Sequence, residues 1–295
     1  MNLSYKLLRE LKKPSIRKGL GLALIEGSRL VTDALASGVE FVSLYFSKSF
    51  VSSDVFEGIF ESFRITGVKP VVLNDSLFNA VCDTKTPQGV LAVIKTVEYK
   101  LEDIMSPRQL TDISALAQPI AHSNTSTNAS ASKPNNSVRS PRQYVILDKI
   151  SDPGNAGSII RTAEAAGFTG LIMSEGCVDL YSPKTLRASM GSALRLPVVQ
   201  NANLPDSITM LKESGVKIYA TSPTAVKCYF DFDLSTDMAL VVGNEAFGVA
   251  PDVMAQCDEK IMIPMRGDAE SLNAGVAAGI LIYESVRQSL CRLRL

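Results

Sequence analysis

The chain has no tryptophan, and its one histidine, His122, stands in a Ser/Asn-rich stretch. A histidine-based catalytic triad or a histidine zinc site therefore has almost nothing to draw on. The five cysteines (Cys82, Cys177, Cys228, Cys257, Cys291) are odd in number and far apart, with no CxxC spacing. That excludes a disulfide scaffold or a cysteine zinc site and implies a reducing compartment. Net charge is also missing: 30 basic residues balance 30 acidic ones. No apolar run approaches the length of a membrane span, and the N-terminus lacks the apolar segment of a signal peptide. A soluble, cytoplasmic protein is expected; in a eukaryote the basic N-terminus leaves a mitochondrial or chloroplast address open. No GxGxxG follows a strand, which argues against an ordinary dinucleotide-type Rossmann site.

What remains is ordinary globular composition, 46% apolar and 20% charged over 295 residues. The charge is unevenly spread. Within residues 1–30, Lys6, Arg9, Lys12, Lys13, Arg17, Lys18 and Arg29 face only Glu10 and Glu26. Such a local excess either contacts phosphate or forms a solvated helix face. Residues 114–138 are mostly Ser, Thr, Asn and Ala with one charge, Lys133, and have too little apolar surface to offset their ordering entropy. They mark a linker, drawn at 101–141, between an N-terminal module (1–100) and a C-terminal module (142–295).

Both modules alternate helical and strand patterns. In the first, the basic helix LSYKLLRELKK precedes GLALIEG, a helix with Ser28 placed as its cap, FVSLYFS, VKPVVLN and GVLAVIKTV. In the second, YVILDKI, LIMSEG, LPVVQN, KIYATSP, MALVVGNE and KIMIPM are continuous apolar runs separated by helical stretches. Runs of this kind indicate buried parallel strands, so the expectation is α/β, with ligands at the carboxyl ends of the strands.

Three polar junctions lie at such ends. In DKISDPGNAGSIIR a Pro-Gly turn opens a helix at Asn155, with Arg161 about two turns along; the plain alternative is an Asn-capped helix with a surface Arg. In ALVVGNEAFG an apolar strand meets Gly243, Asn244, Glu245 and Gly248, either a ligand loop or an ordinary turn. In IPMRGDAESLNAG, Arg266, Asp268, Glu270, Ser271 and Asn273 precede a helix rich in Ala and Gly and apolar on nearly every side, which predicts burial in a core or interface. Asp268 or Ser271 alone would serve as its cap.

Taken in order, these junctions resemble the three motifs of the SpoU/TrmH family of RNA ribose 2′-O-methyltransferases in the SPOUT superfamily. Asn155, Gly157 and Arg161 match the first motif, the GxExxG around Glu245 the second, and Ile263-Pro264-Met265 with Glu270-Ser271-Leu272-Asn273 the third. LIEGSRLVTDALASG and TPQGVLAVI resemble the family's substrate-binding domain. Ala274 and Gly275 stand where the family often has Val and Ser, and the linker is longer than usual.

The resemblance implies a C-terminal SPOUT domain with a mostly parallel sheet and a deep trefoil knot, preceded by a small α/β domain. It implies S-adenosylmethionine (SAM) as cofactor, no metal, a homodimer whose subunits complete each other's sites, and RNA as substrate, ribosomal first and transfer RNA second. The adenosine pocket would use backbone near Gly243, Ile263 and Leu272, with Thr221, Ser222, Met265 and Asn273 nearby. Asn155, Arg161, Glu245, Ser271 and Asn273 would form the reacting end, and Lys12, Lys13, Arg17, Lys18 and Arg29 would meet RNA. The family assigns the base to the first-motif arginine. A guanidinium keeps its proton above about pH 12, so positioning and charge stabilisation by Arg161 is the preferred role. A non-catalytic RNA-binding protein and a base or small-molecule methyltransferase are the competing classes.

Overall fold

The computed structural model describes residues 3–105 and 140–292. The linker's Ser/Asn-rich part, with His122, lies outside them.

The first module carries a four-stranded sheet of β1 (Leu22–Glu26), β2 (Phe41–Ser47), β3 (Val71–Leu73) and β4 (Val90–Lys95). Their order is β1-β4-β2-β3; β4 runs antiparallel to β1 and β2, and β3 parallel to β2. The basic N-terminal helix is two helices, α1 (Tyr5–Glu10) and α2 (Pro14–Leu20). Pro14 cannot sit inside a continuous helix and instead opens the second one. Ser28 begins α3 (Ser28–Ala36) rather than capping it; the cap residue is Gly27, at φ 98°. Further on lie α4 (Lys48–Val51), α5 (Phe56–Phe63) and α6 (Asp75–Val81), the last capped by Asn74.

The second module is a seven-stranded, entirely parallel sheet: β5 (Gln143–Asp148), β6 (Gly170–Ser174), β7 (Val198–Ala202), β8 (Lys217–Thr221), β9 (Lys227–Cys228), β10 (Met238–Gly243) and β11 (Glu259–Met262). The order is β7-β6-β5-β10-β8-β11-β9, so β5 and β10 form its centre, with Leu240 beside Val145. Alternation along the strands divides two cores. Val145, Leu147, Leu240 and Val242 pack with α8 (Pro153–Ala165), α9 (Pro183–Ala188) and α12 (Ala274–Arg292). Tyr144, Ile146, Ala239 and Val241 pack with α7 (Leu101–Met105), α10 (Leu204–Glu213) and α11 (Pro251–Gln256) on the other face.

The linker boundary at 101 needs correction. Leu101 and Ile104 of α7 are buried in the second core, and the Tyr144 hydroxyl donates to the Ile104 carbonyl at 3.4 Å. Apolar periodicity in LEDIM was too short to stand out beside the polar stretch that follows.

The modules share one core: Ile25, Val31 and Phe46 of the first join Ile159, Ala163 and Leu186 of the second. Two ion pairs of opposite sense cross the seam, Arg17 to Asp179 and Asp83 to Arg187 (2.7 Å). Tyr181 completes it, its hydroxyl donating to Val97 O (3.0 Å) and accepting from Val97 N–H (2.9 Å).

Candidate active site

The carboxyl ends of β8, β10 and β11 open into a cavity of about 620 Å³. Thr221 and Ser222 at the end of β8, Gly243 at the end of β10, and Ile263, Met265, Leu272 and Asn273 between β11 and α12 all line it. Val242, Ile261, Ala277 and Leu281 supply further apolar wall, while Glu245, Glu270 and Ser271 bring polar groups. The volume falls within the range of ligand pockets, roughly 300–1,000 Å³. An apolar wall beside main-chain groups at strand ends suits an adenine ring, and the polar side suits a charged tail. The donor set therefore fits an adenosyl cofactor. Among the described residues no His, Cys, Asp or Glu cluster could hold a metal.

Beside the cavity, three side chains from three motifs form one hydrogen-bonded line. Asn155 Nδ2 donates to Glu245 Oε1 at 2.9 Å, and Asn273 Nδ2 donates to Asn155 Oδ1 at 2.8 Å. Asn273 Oδ1 then accepts from the N–H groups of Gly275 (2.9 Å) and Val276 (3.2 Å). A carboxylate only accepts, so Glu245 fixes which way the Asn155 amide faces, and Asn155 in turn fixes Asn273. The same order of donors makes Asn273 the cap of α12, in place of Asp268 or Ser271.

Asn155 can reach across because it does not cap its own helix. That role belongs to Asp152, whose Oδ1 accepts from Asn155 N–H at 2.7 Å, with Pro153 as the first helical residue. Asp followed by Pro is the signal that would have located this cap from sequence.

Glu245 also accepts from Asp152 N–H (3.1 Å) and from the N–H (3.3 Å) and hydroxyl (3.2 Å) of Ser151. Burial opposes its charged form, but the hydrogen bonds from Asn155 and the backbone outweigh that and hold the carboxyl at about 2. The positive end of α8 adds to the same effect. Glu245 is thus ionised throughout the neutral range, an anchor rather than a proton acceptor.

Two motif glycines turn out to be packing residues. A Cβ on Gly243 would lie 2.1 Å from Gly248 C and Val249 N, so the strand end must be glycine for its own loop to fold back over it. The loop is closed by Gly248 N–H donating to Asn244 O (2.9 Å) and by Asn244 Nδ2 donating to Lys149 O (2.7 Å). A Cβ on Gly157 would lie 2.4 Å from Ala188 Cβ, which sets how closely α8 and α9 approach. Gly243 thus lines the cavity and is also where backbone meets backbone most closely in its loop.

Not every expected residue gathers here. Ser271 lines the cavity with its hydroxyl free of partners among the described residues. Arg161 is exposed, makes no side-chain hydrogen bond or ion pair among the described residues, and does not line the cavity. Six residues beyond Asn155, it lies about 9 Å further along α8 and roughly 120° around it.

In the basic set, Lys13, Lys18 and Arg29 are exposed. Lys12 Nζ donates to Cys82 O at 2.7 Å. Arg17 is 3% exposed and fully engaged, by Asp179 and by the carbonyls of Leu11 and Lys12. Its assignment to RNA is corrected to a contact between modules; a lone Arg in a basic helix gives no sequence sign of a distant acid.

Comparison with known proteins agrees with this geometry. Residues 142–283 match the SpoU rRNA Methylase family, and residues 2–92 match an MRM3-like substrate binding domain. The chain is 32% identical over 283 residues to the 23S rRNA (guanosine(2553)-2′-O)-methyltransferase RlmP of Bacillus subtilis, covering 96% of this chain and 95% of that one. The SpoU methyltransferase AviRb of Streptomyces viridochromogenes, solved in complex with AdoMet, superposes with a TM-score of 0.77 at 26% identity, covering 98% of this chain and all of that one. An AdoMet-bound rRNA methyltransferase of Sinorhizobium meliloti superposes at 0.76 with 28% identity, covering 96% and 94%.

Proposed function

The chain belongs to the SpoU rRNA methylase family, and from that premise we propose that it is a SAM-dependent ribose 2′-O-methyltransferase of large-subunit ribosomal RNA. One observation carries the reading. The cavity at the strand ends adjoins the Glu245–Asn155–Asn273 line, so the cofactor wall and the reacting end share residues.

When bound, SAM supplies an electrophilic sulfonium methyl. Everything else falls to the chain. Gly243, Ile263 and Leu272, which line the cavity, would hold the adenosine through main-chain groups, with Thr221, Ser222 and Met265 beside them. Ionised Glu245 holds Asn155 and Asn273 in one orientation, so the polar end of the cavity is arranged before any ligand arrives. Ser271 offers an unused hydroxyl there. The Arg161 guanidinium stabilises negative charge developing on the ribose 2′-oxygen, while the hydroxyl proton leaves to water or phosphate.

Arg161 does not line the cavity of its own chain. The proposal therefore includes a homodimer in which each Arg161 serves the other chain's cavity. Val276, Tyr283 and Leu290 leave an exposed apolar stripe on α12, and Phe247 and Met265 are exposed in the cavity lining, which supports such pairing. The trefoil knot and a cytoplasmic location belong to the same reading; five free cysteines are consistent with the latter.

The test is methyl transfer from isotopically labelled SAM to ribosomal RNA, followed by mapping of ribose methylation. Label appearing on a 2′-oxygen of large-subunit RNA is expected. Base-methylated nucleosides alone, or SAM binding without transfer, would overturn the reading in favour of the competing classes.

A further inference from the structure

A second cavity, about 370 Å³, lies in the seam between the modules. Arg17 and Asp179 line it and neutralise each other, and Tyr181, tied twice to Val97, lines it too. Around them stand Lys18, Glu98, Tyr99, Lys100, Gln200 and Asn201. No hydrogen bond involves the side-chain amides of Gln200 and Asn201 among the described residues, so four donor and acceptor groups at one cleft are uncommitted. With the Arg17–Asp179 pair cancelled, two ammonium groups face one carboxylate, leaving a single positive charge.

Placement gives this cleft its meaning. Gln200 and Asn201 belong to β7, and Tyr99 pairs through its backbone with Val199 on that strand. Both cavities thus open toward the carboxyl edge of one parallel sheet. β7 is three places from β10, roughly 14 Å at about 4.8 Å per strand. Resting on the methyltransferase reading above, we propose that this cleft is a subsite for one unpaired nucleotide of the RNA, distinct from the nucleotide that is methylated. The single positive charge matches one phosphodiester. The two amides match the mixed donor and acceptor edge of a base, and half-buried Tyr99 offers a ring beside it. The volume exceeds what a bare phosphate needs and excludes a duplex. Because the modules share a core and are joined by two ion pairs, the subsite has a fixed distance from the catalytic cavity and would set which ribose reaches it.

The test uses the full chain and a short fluorescently labelled single-stranded RNA, with binding followed by anisotropy across a salt series. Gln200→Ala/Asn201→Ala is expected to weaken binding by roughly tenfold with the salt slope unchanged. Lys18→Ala/Lys100→Ala is expected to weaken it and lower the slope by about 1. SAM affinity, measured by calorimetry, should stay at the wild-type value in both and reports that each is folded. Both variants binding RNA as wild type does, or a wild type that binds no RNA, would overturn the subsite. A methyl-transfer assay run in parallel separates the two claims. Wild-type transfer with unaffected variants sinks only the subsite; lost RNA binding in the variants without any wild-type transfer sinks only the methyltransferase reading.

Discussion

Asn273 Nδ2 lies 2.8 Å from Asn155 Oδ1, so the residue that caps α12 is held by a residue in the first turn of α8, 118 positions earlier. The two helix starts that flank the reacting end are thereby fixed to each other, with Glu245 as the charged terminus of the arrangement.

Removing either amide strips one polar atom of its neighbour, Asn155 Oδ1 or Asn273 Nδ2, of its hydrogen bond. Asn155→Ala and Asn273→Ala should each cost about 1–3 kcal/mol in urea unfolding. Their double variant should cost less than the sum, because both single changes break the same contact. Strict additivity would mean that the two amides act separately.

Glu245 predicts a pH signature. Its folded pKa, about 2, lies below the ordinary 4.5, so the stability it contributes is complete above pH 4.5 and is lost as pH falls toward 2. The stability gap between wild type and Glu245→Gln should be flat from pH 5 to 8 and close below 4.5. A gap that changes near neutrality would show that Glu245 titrates there after all.

Arg161→Lys keeps the charge and loses the planar fork. Because Arg161 is exposed and has no partner among the described residues, stability should change by less than about 0.5 kcal/mol. Methyl transfer should fall about 100-fold with SAM affinity unchanged. Wild-type turnover would exclude bidentate positioning by this residue.

Gly243→Ala places a methyl group 2.1 Å from the backbone of Gly248 and Val249. The loop carrying Glu245 must move, so SAM affinity and thermal stability should drop together, the latter by about 1–3 kcal/mol. An unchanged melting temperature would show that the loop yields freely.

Much of this was legible beforehand, for particular physical reasons. Parallel strands buried on both faces leave unbroken apolar runs such as MALVVG and YVILD, and those set the second module. Each polar junction at a strand end also reads as a helix cap or a turn, and Asn155, Glu245 and Asn273 stood out because the three together follow the order of the SpoU/TrmH motifs. Their mutual orientation was not legible, since it depends on contacts spanning 90 and 118 positions. The same holds for Arg17, whose partner Asp179 lies 162 positions away. Caps were misassigned where several candidates crowd together: DPGN and ESLN each hold more than one residue able to cap, and geometry alone selects among them. α7 escaped because five residues beside a polar tract carry too little periodicity.

The pairing at the middle of the large sheet has a consequence for how the protein is made. Arg142 and Asp237, which join the starts of β5 and β10, are 95 residues apart. At about 5–20 residues per second of synthesis, β5 emerges from the ribosome roughly 5–20 s before its inner neighbour exists. Throughout that interval Val145 and Leu147 lack β10 and α12, although β6, α8 and α9 are already made. One edge of β5 therefore stays open until β10 is made, and slowed translation should lengthen that exposure.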